Sequence, residues 1–430
     1  MIASHNTKIC KACVFASLIM IIVMHLNGNE VNKLFFAVFS ALIVMLPTEY
    51  SIIIVFTFSF HDGGFKVNEI MMIAYLAIIL SFKLVIDALI NHKKYSITVI
   101  LCSMVLFALS IGHLSDIRVV DFARLGARFM LVAFLLGNGE IVFDEEEGRT
   151  LADAAFCSAL IFAFFSLSAG FHIYGQATYM NMLLGEFRLG EEYRDFGGAD
   201  TIGYMLCLIY PLQLKLMADG SRSSVNCIVR LILLFAIGIL SKTRSFLLTG
   251  SVLTVVFVLY KIKVDKKNRW KTILTTALVA IVLIDVCKSN LYISQAFGRF
   301  SEGDVSNGRF DIYRNLIDIF DKHIFVGVGF EYKELTGILA HNIFLEILVA
   351  WGIIGMVAMV VLSVKSYIVR NVSFRKNSAV FYWLGFFIAC CTISSITYDK
   401  FYINYCMLFL LAARKGVTDG KTNNRVYTDI

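Results

Sequence analysis

Arg188, Arg194, Arg244, Arg299, Arg309, Arg314 and His341 are the residues whose types could serve group transfer on a phosphate-bearing substrate. A guanidinium presents planar, permanently charged donors that match phosphate oxygens, and several around one point can clamp a pyrophosphate. An imidazole with an ordinary pKa of about 6.5 is largely neutral at neutral pH, so it can take the proton of an attacking hydroxyl. Arg124 and Arg128 form a second set, one helical turn apart and so on one helix face. Each residue also has a plainer reading. A lone arginine at a membrane boundary snorkels, and a lone histidine at a helix start is more often structural. Arg124 and Arg128 would be equally well neutralised by an Asp or Glu of a neighbouring helix as by a lipid-linked phosphate.

The elements that must hold these residues are membrane helices. The 430-residue chain is 58% hydrophobic and only 17% charged, with a mean hydropathy of +0.75. A soluble domain carries roughly 25% charged residues, so lipid is the solvent here. Segments such as "SVLTVVFVLY" and "ILTTALVAIVLIDV" are apolar all round, without strand alternation. The fold class expected is therefore all-α: a polytopic transmembrane bundle of about 12–14 helices, with no internal repeat and residues 1–430 in one domain. Apolar spans fall near residues 12–26, 34–46, 49–60, 68–90, 97–113, 119–137, 151–173, 201–217, 228–241, 245–260, 271–289, 341–364, 379–397 and 401–413. Pro47 and Glu49 predict a tight turn in the run 34–60, and Lys242 with Arg244 predicts a break between two spans at an interface. Lys83 and Asp87 are spaced to pair on one helix.

With the N-terminus inside, the inner segments, which include "NHKKY", "KIKVDKKNRWK", "VKSYIVRNVSFRK" and the tail, collect about twenty Lys and Arg against about six in the short outer loops. The positive-inside rule then puts both termini in the cytoplasm. On that parity every arginine named above reaches the outer side, with His341 where a long outer loop, 290–340, re-enters the membrane. Arg124 and Arg128 lie roughly 7–14 Å below the outer boundary. The net charge of +7 fits basic membrane-flanking loops and no nucleic-acid surface. Cys10 and Cys13 form a lone CxxC without a second pair, and no catalytic metal-ligand motif falls on the outer face, so no metal or cofactor is expected.

The stretch Ala340–Val357, "AHNIFLEILVAWGIIGMV", resembles the O-antigen ligase and O-antigen polymerase superfamily, which shows His-Asn and then Gly-hydrophobic-hydrophobic-Gly at this re-entry. The matching positions are His341, Asn342, Gly352 and Gly355. Gly308, Arg309, Gly327 and Gly329 match its Gly-Arg start and Gly-x-Gly turn, "LSKTRSFLLTG" its small-polar-Arg-Ser motif at Arg244, and "FRLGEEYRDFGGAD" its Arg-x-Gly region at Arg188. Two positions depart from the pattern. Gly198-Ala199-Asp200 stands where Asp-Pro-Asn is common, and Phe325 where a proline is.

The resemblance implies glycosyl transfer without metal at the periplasmic face of a bacterial inner membrane. An undecaprenyl-diphosphate-linked oligosaccharide would be donor, His341 the base, Arg244 and Arg309 the pyrophosphate ligands, and Arg188 a holder of the second phosphate or of an acceptor group. The motifs cover roughly residues 185–365, so Arg124 and Arg128 are read as lipid-phosphate ligands from their depth alone. A polymerase would join repeat units and meet a chain-length regulator; a ligase would pass the polymer to lipid A core. A flippase for the same lipid is the reading of another class, and would show two related halves. No such halves are evident.

Overall fold

The computed structural model describes residues 7–27, 31–61, 65–67, 70–111, 119–174, 188–189, 198–265, 309–332, 342–370, 378–392 and 399–413, together with 267, 270, 274, 294, 298 and 396. In lipid every backbone donor and acceptor must find its partner inside the protein, and a helix does this within one segment. Fourteen α-helices lie among these residues. The first seven are α1 (Thr7–Leu26), α2 (Lys33–Met45), α3 (Thr48–Phe58), α4 (Met72–Ile90), α5 (Ile97–Ile111), α6 (Val119–Gly137) and α7 (Glu145–Tyr174). Then come α8 (Gly198–Asp219), α9 (Ser224–Ser241), α10 (Arg244–Val264), α11 (Arg309–Lys322), α12 (Ile343–Val369), α13 (Val380–Thr392) and α14 (Asp399–Ala412). A two-residue antiparallel ladder, Lys66–Val67 with Ile70–Met71, precedes α4. Seven of the described helices are long and apolar enough to cross a membrane. The span expected near 271–289 lies outside the described residues.

α8 is the axis of one half of the bundle: α7, α9, α10 and α13 all pack on it, and most of its side chains are buried. Pro211 lies inside this helix and cannot donate to the Cys207 carbonyl. Gly385 of α13 fits against that spot, where a Cβ would stand 2.5 Å from the Cys207 oxygen. The other half is a chain of neighbours in which α12 packs on α5, α5 on α6, and α6 on both α4 and α14.

The turn predicted at Pro47 separates α2 from α3, and a lysine completes it. Lys83 of α4 donates to the carbonyl of Ile43 (2.8 Å), to the carbonyl of Leu46 and to Ser51 Oγ (2.8 Å), covering acceptors released where α2 ends. The expected Lys83–Asp87 pair does not form. Asp87 instead accepts from Lys93 at 2.6 Å and Asn91 at 2.5 Å, because the broken helix offers Lys83 a richer set of oxygens inside the bilayer.

α12 is itself broken. Gly352 (φ 62°, ψ −164°) interrupts it, and the backbone groups that the break releases pair with the segment following α11. Val328 N donates to Val349 O (2.9 Å), Ile353 N to Ile324 O (2.9 Å) and Ile354 N to Phe325 O (3.1 Å). The two chains meet backbone to backbone through glycines. A Cβ on Gly327 would stand 2.5 Å from Ala350 O, and one on Gly352 would stand 2.3 Å from Phe325 O.

Candidate active site at one end of the bundle

Two arginine groups occupy the end of the bundle where α9 stops and α10, α12 and α14 begin. The first is built on the α9–α10 turn. α9 stops as Lys242 takes left-handed backbone (φ 48°), and α10 restarts at Arg244. Thr243 Oγ1 donates to Ala199 O at 3.1 Å and shares a 2.8 Å hydrogen bond with Ser241 Oγ. α8 approaches this closely since residue 203 is glycine; a Cβ there would stand 2.1 Å from Thr243 Cγ2. Arg188 and Leu189 lie along the same turn. Leu189 N donates to Leu240 O (2.8 Å) and Arg188 Nε to Ser241 O (3.1 Å), while Arg188 Nη2 reaches Asp200 Oδ1 at 3.4 Å. Arg188 and Arg244 therefore flank one turn, although the chain between them contains all of α8 and α9.

The second group is buried. Arg128 Nε donates to Asp399 Oδ1 at 2.5 Å and Arg124 Nε to Asp399 Oδ2 at 2.8 Å, with Arg124 Nη2 on the same oxygen. Asp399 is 3% exposed and Arg128 7%, and the Tyr402 ring lies 5.5 Å from the Arg128 guanidinium. The carboxylate that the two α6 arginines need thus comes from the first residue of α14. Sequence reading missed Asp399. The signal was there: an Asp-Lys pair set between two apolar runs at the same end of the bundle as Arg124.

The next residue joins the two groups. Lys400 Nζ donates to Thr201 Oγ1 at 3.4 Å and sits 5.2 Å over the Tyr204 ring, and Thr201 follows the Asp200 that Arg188 reaches. The start of α12 belongs to the same contact chain. Asn342 caps the helix by accepting from Leu345 N (3.3 Å), and one turn on Glu346, fully buried, accepts from Ile396 N (3.0 Å). Tyr402 in turn donates to Ile396 O (2.9 Å). Among the described residues, the two guanidiniums on Asp399, Lys400, Arg188 and Arg244 thus share this end of the bundle with the Asp200, Glu346 and Asp399 carboxylates.

His341, Arg194 and Arg299 lie outside the described residues, although Asn342 fixes where the chain enters α12. Arg309 opens α11 and forms no hydrogen bond or ion pair among the described residues; that helix packs on α12 through buried Leu316 and its neighbours. Arg314 is exposed, 3.8 Å from Asp311. Among the described residues no three His, Cys, Asp or Glu side chains are grouped to hold a metal ion. A separate buried cluster, His25 and His61 (3.0 Å apart) with Ser158 (2.7 Å from His61), packs among α1, the end of α3 and α7.

Residues 229–360 match the O-antigen ligase family. The match supports the O-antigen ligase and polymerase superfamily for this chain. The matched stretch takes in the α9–α10 turn with Arg244, the opening of α11 with Arg309, the glycines of the α12 break and position 341. Arg188, Arg124, Arg128 and Asp399 fall outside it, and the fold brings Arg188 onto the α9–α10 turn inside it. No curated protein and no solved structure matches the chain.

Proposed function

We propose that this protein is a membrane glycosyltransferase that polymerises polyprenyl-diphosphate-linked oligosaccharide repeat units into an O-antigen or related surface polysaccharide. The observation that carries the reading is the gathering of cations at one end of the bundle, from parts of the chain that hydropathy alone would leave unrelated. Breaking a sugar–pyrophosphate bond builds negative charge on the leaving group. Arg244, Arg309 and Arg188 would stabilise it, each charge-assisted hydrogen bond contributing about 1.5–3 kcal/mol. Arg124 and Arg128, held by Asp399, extend the positive field into the bilayer, where the carrier lipid enters. His341 is the base that takes the proton from the acceptor hydroxyl. The site faces the periplasm, at the side opposite the positive loops.

His341→Ala is expected to abolish long-chain polymer in cells while the protein remains in the membrane at normal abundance. Long chains persisting in that variant would remove His341 from the mechanism. The ligase reading is favoured by the description of the matched family. A deletion strain separates the two: a single repeat unit left on the core lipid means polymerase, whereas an unmodified core with polymer still on its carrier means ligase.

A further inference from the structure

A second shared carboxylate lies towards the opposite end of the bundle, where α7 opens on the acidic run Asp144–Glu147 and α10 ends on Lys261 and Lys263. Asp153 of α7 accepts from Arg222 Nη2 at 2.5 Å and from Arg230 Nη1 of α9 at 2.5 Å. Each of the three side chains keeps roughly a fifth of its surface exposed. Two guanidiniums against one carboxylate leave one positive charge in excess. Arg222 precedes α9 and Asp153 lies about 12 Å along α7 from Glu145, so the excess charge spans headgroup depth to upper acyl depth.

The surroundings are those of a lipid molecule. α9 packs chiefly on α8, α7 on α8, α3 and α1, and α7 and α9 touch one another little. The face of α7 that carries Asp153 continues at helical spacing through Leu160 and Phe164, which are 36% and 64% exposed. Val229 and Leu233 of α9, one turn apart on the side that carries Arg230, are exposed as well. A cation pair at headgroup depth, continued by an apolar track one acyl chain wide, fits a phospholipid and gives a soluble anion nothing below its charge. We propose that Arg222, Arg230 and Asp153 form a binding site for an anionic phospholipid, with the headgroup phosphate on the two guanidiniums and an acyl chain along Leu160 and Phe164.

Charge arithmetic separates this from a plain inter-helix clamp. Full-length protein in nanodiscs of phosphatidylcholine doped with fluorescent phosphatidylglycerol reports the preference for the anionic lipid. Arg222→Gln removes the excess charge and is expected to weaken the preference about fivefold. Asp153→Asn adds a charge and is expected to strengthen it. The Arg222→Gln/Asp153→Asn double variant, with the excess restored, should return to the wild-type value. A clamp predicts instead that each change only loosens the helices, and the double variant most. Equal loss in both single variants, no preference in the wild type, or displacement of the lipid by millimolar inorganic phosphate would each overturn the proposal.

Discussion

Asp399 serves two guanidiniums at once, so the three members of this triad are not equivalent to remove. Asp399→Asn leaves two cations in the bilayer without their carboxylate, a change that costs about 3–5 kcal/mol when a buried pair is broken. Arg124→Gln leaves Arg128 on Asp399, and the Arg124 side chain is already 25% exposed. Thermal unfolding of the purified protein in detergent should therefore show a large loss for Asp399→Asn and a small one for Arg124→Gln, with polymer formation reduced in both. The opposite ranking in stability would mean that Arg124 and not Asp399 holds α6 and α14 together. The arginines of this triad were legible in the sequence, because a charge in an apolar run stands out. Their partner was not. It lies 271 residues beyond Arg128, and hydropathy records which segments are buried without recording which segments touch.

At the level of elements, α12 shows what a break inside the membrane requires. Interrupting a helix in lipid exposes backbone groups at a cost of several kcal/mol each unless something else pairs with them. Here residues 324–328 supply the partners, and the glycines at 327 and 352 let the two backbones touch. The Gly352 conformation is one that residues with a Cβ adopt only at a cost of about 1–3 kcal/mol, before the clash with Phe325 O is counted. Gly352→Ala and Gly327→Ala should each lower the unfolding temperature sharply and release α11 from α12, reducing activity along with stability. Gly148→Ala is the control: nothing stands within 4 Å of a Cβ there, and a helical alanine should stabilise by roughly 0.5–1 kcal/mol. Equal effects at all three positions would show that the backbone contact is not what holds the break. Hydropathy located α12 and missed its interruption, since both sides of Gly352 are apolar; the spaced glycines were the visible trace. The Lys83 contact was misread for a related reason, as helical spacing cannot foresee acceptors that a broken neighbour supplies.

For the whole molecule the open quantity is orientation. The fold groups ends without reference to a membrane. Arg188, Ser241, Asn342, Ile396 and Asp399 gather at one end, while Asp219 and Ser378 meet at the other through a 2.5 Å hydrogen bond. The direction we propose rests on Lys93, Lys94, Lys261 and Lys263 at the second end, since positive loops tend to stay in the cytoplasm. An impermeant maleimide tests this in a variant whose ten cysteines are replaced and single ones returned. Asp311→Cys and Asp318→Cys, on the exposed side of α11, should label in intact cells. Lys94→Cys and Lys263→Cys, exposed at the other end, should label only after the membrane is permeabilised. The reverse pattern would put the arginine groups in the cytoplasm, where they would meet the lipid-linked unit before export, and periplasmic polymerisation would fail while the triads and the α12 break stood. Labelling of all four from one side would be more damaging: Lys263 and Asp311 flank the undescribed span near 271–289, so that result would remove this crossing and the parity on which the outer site depends.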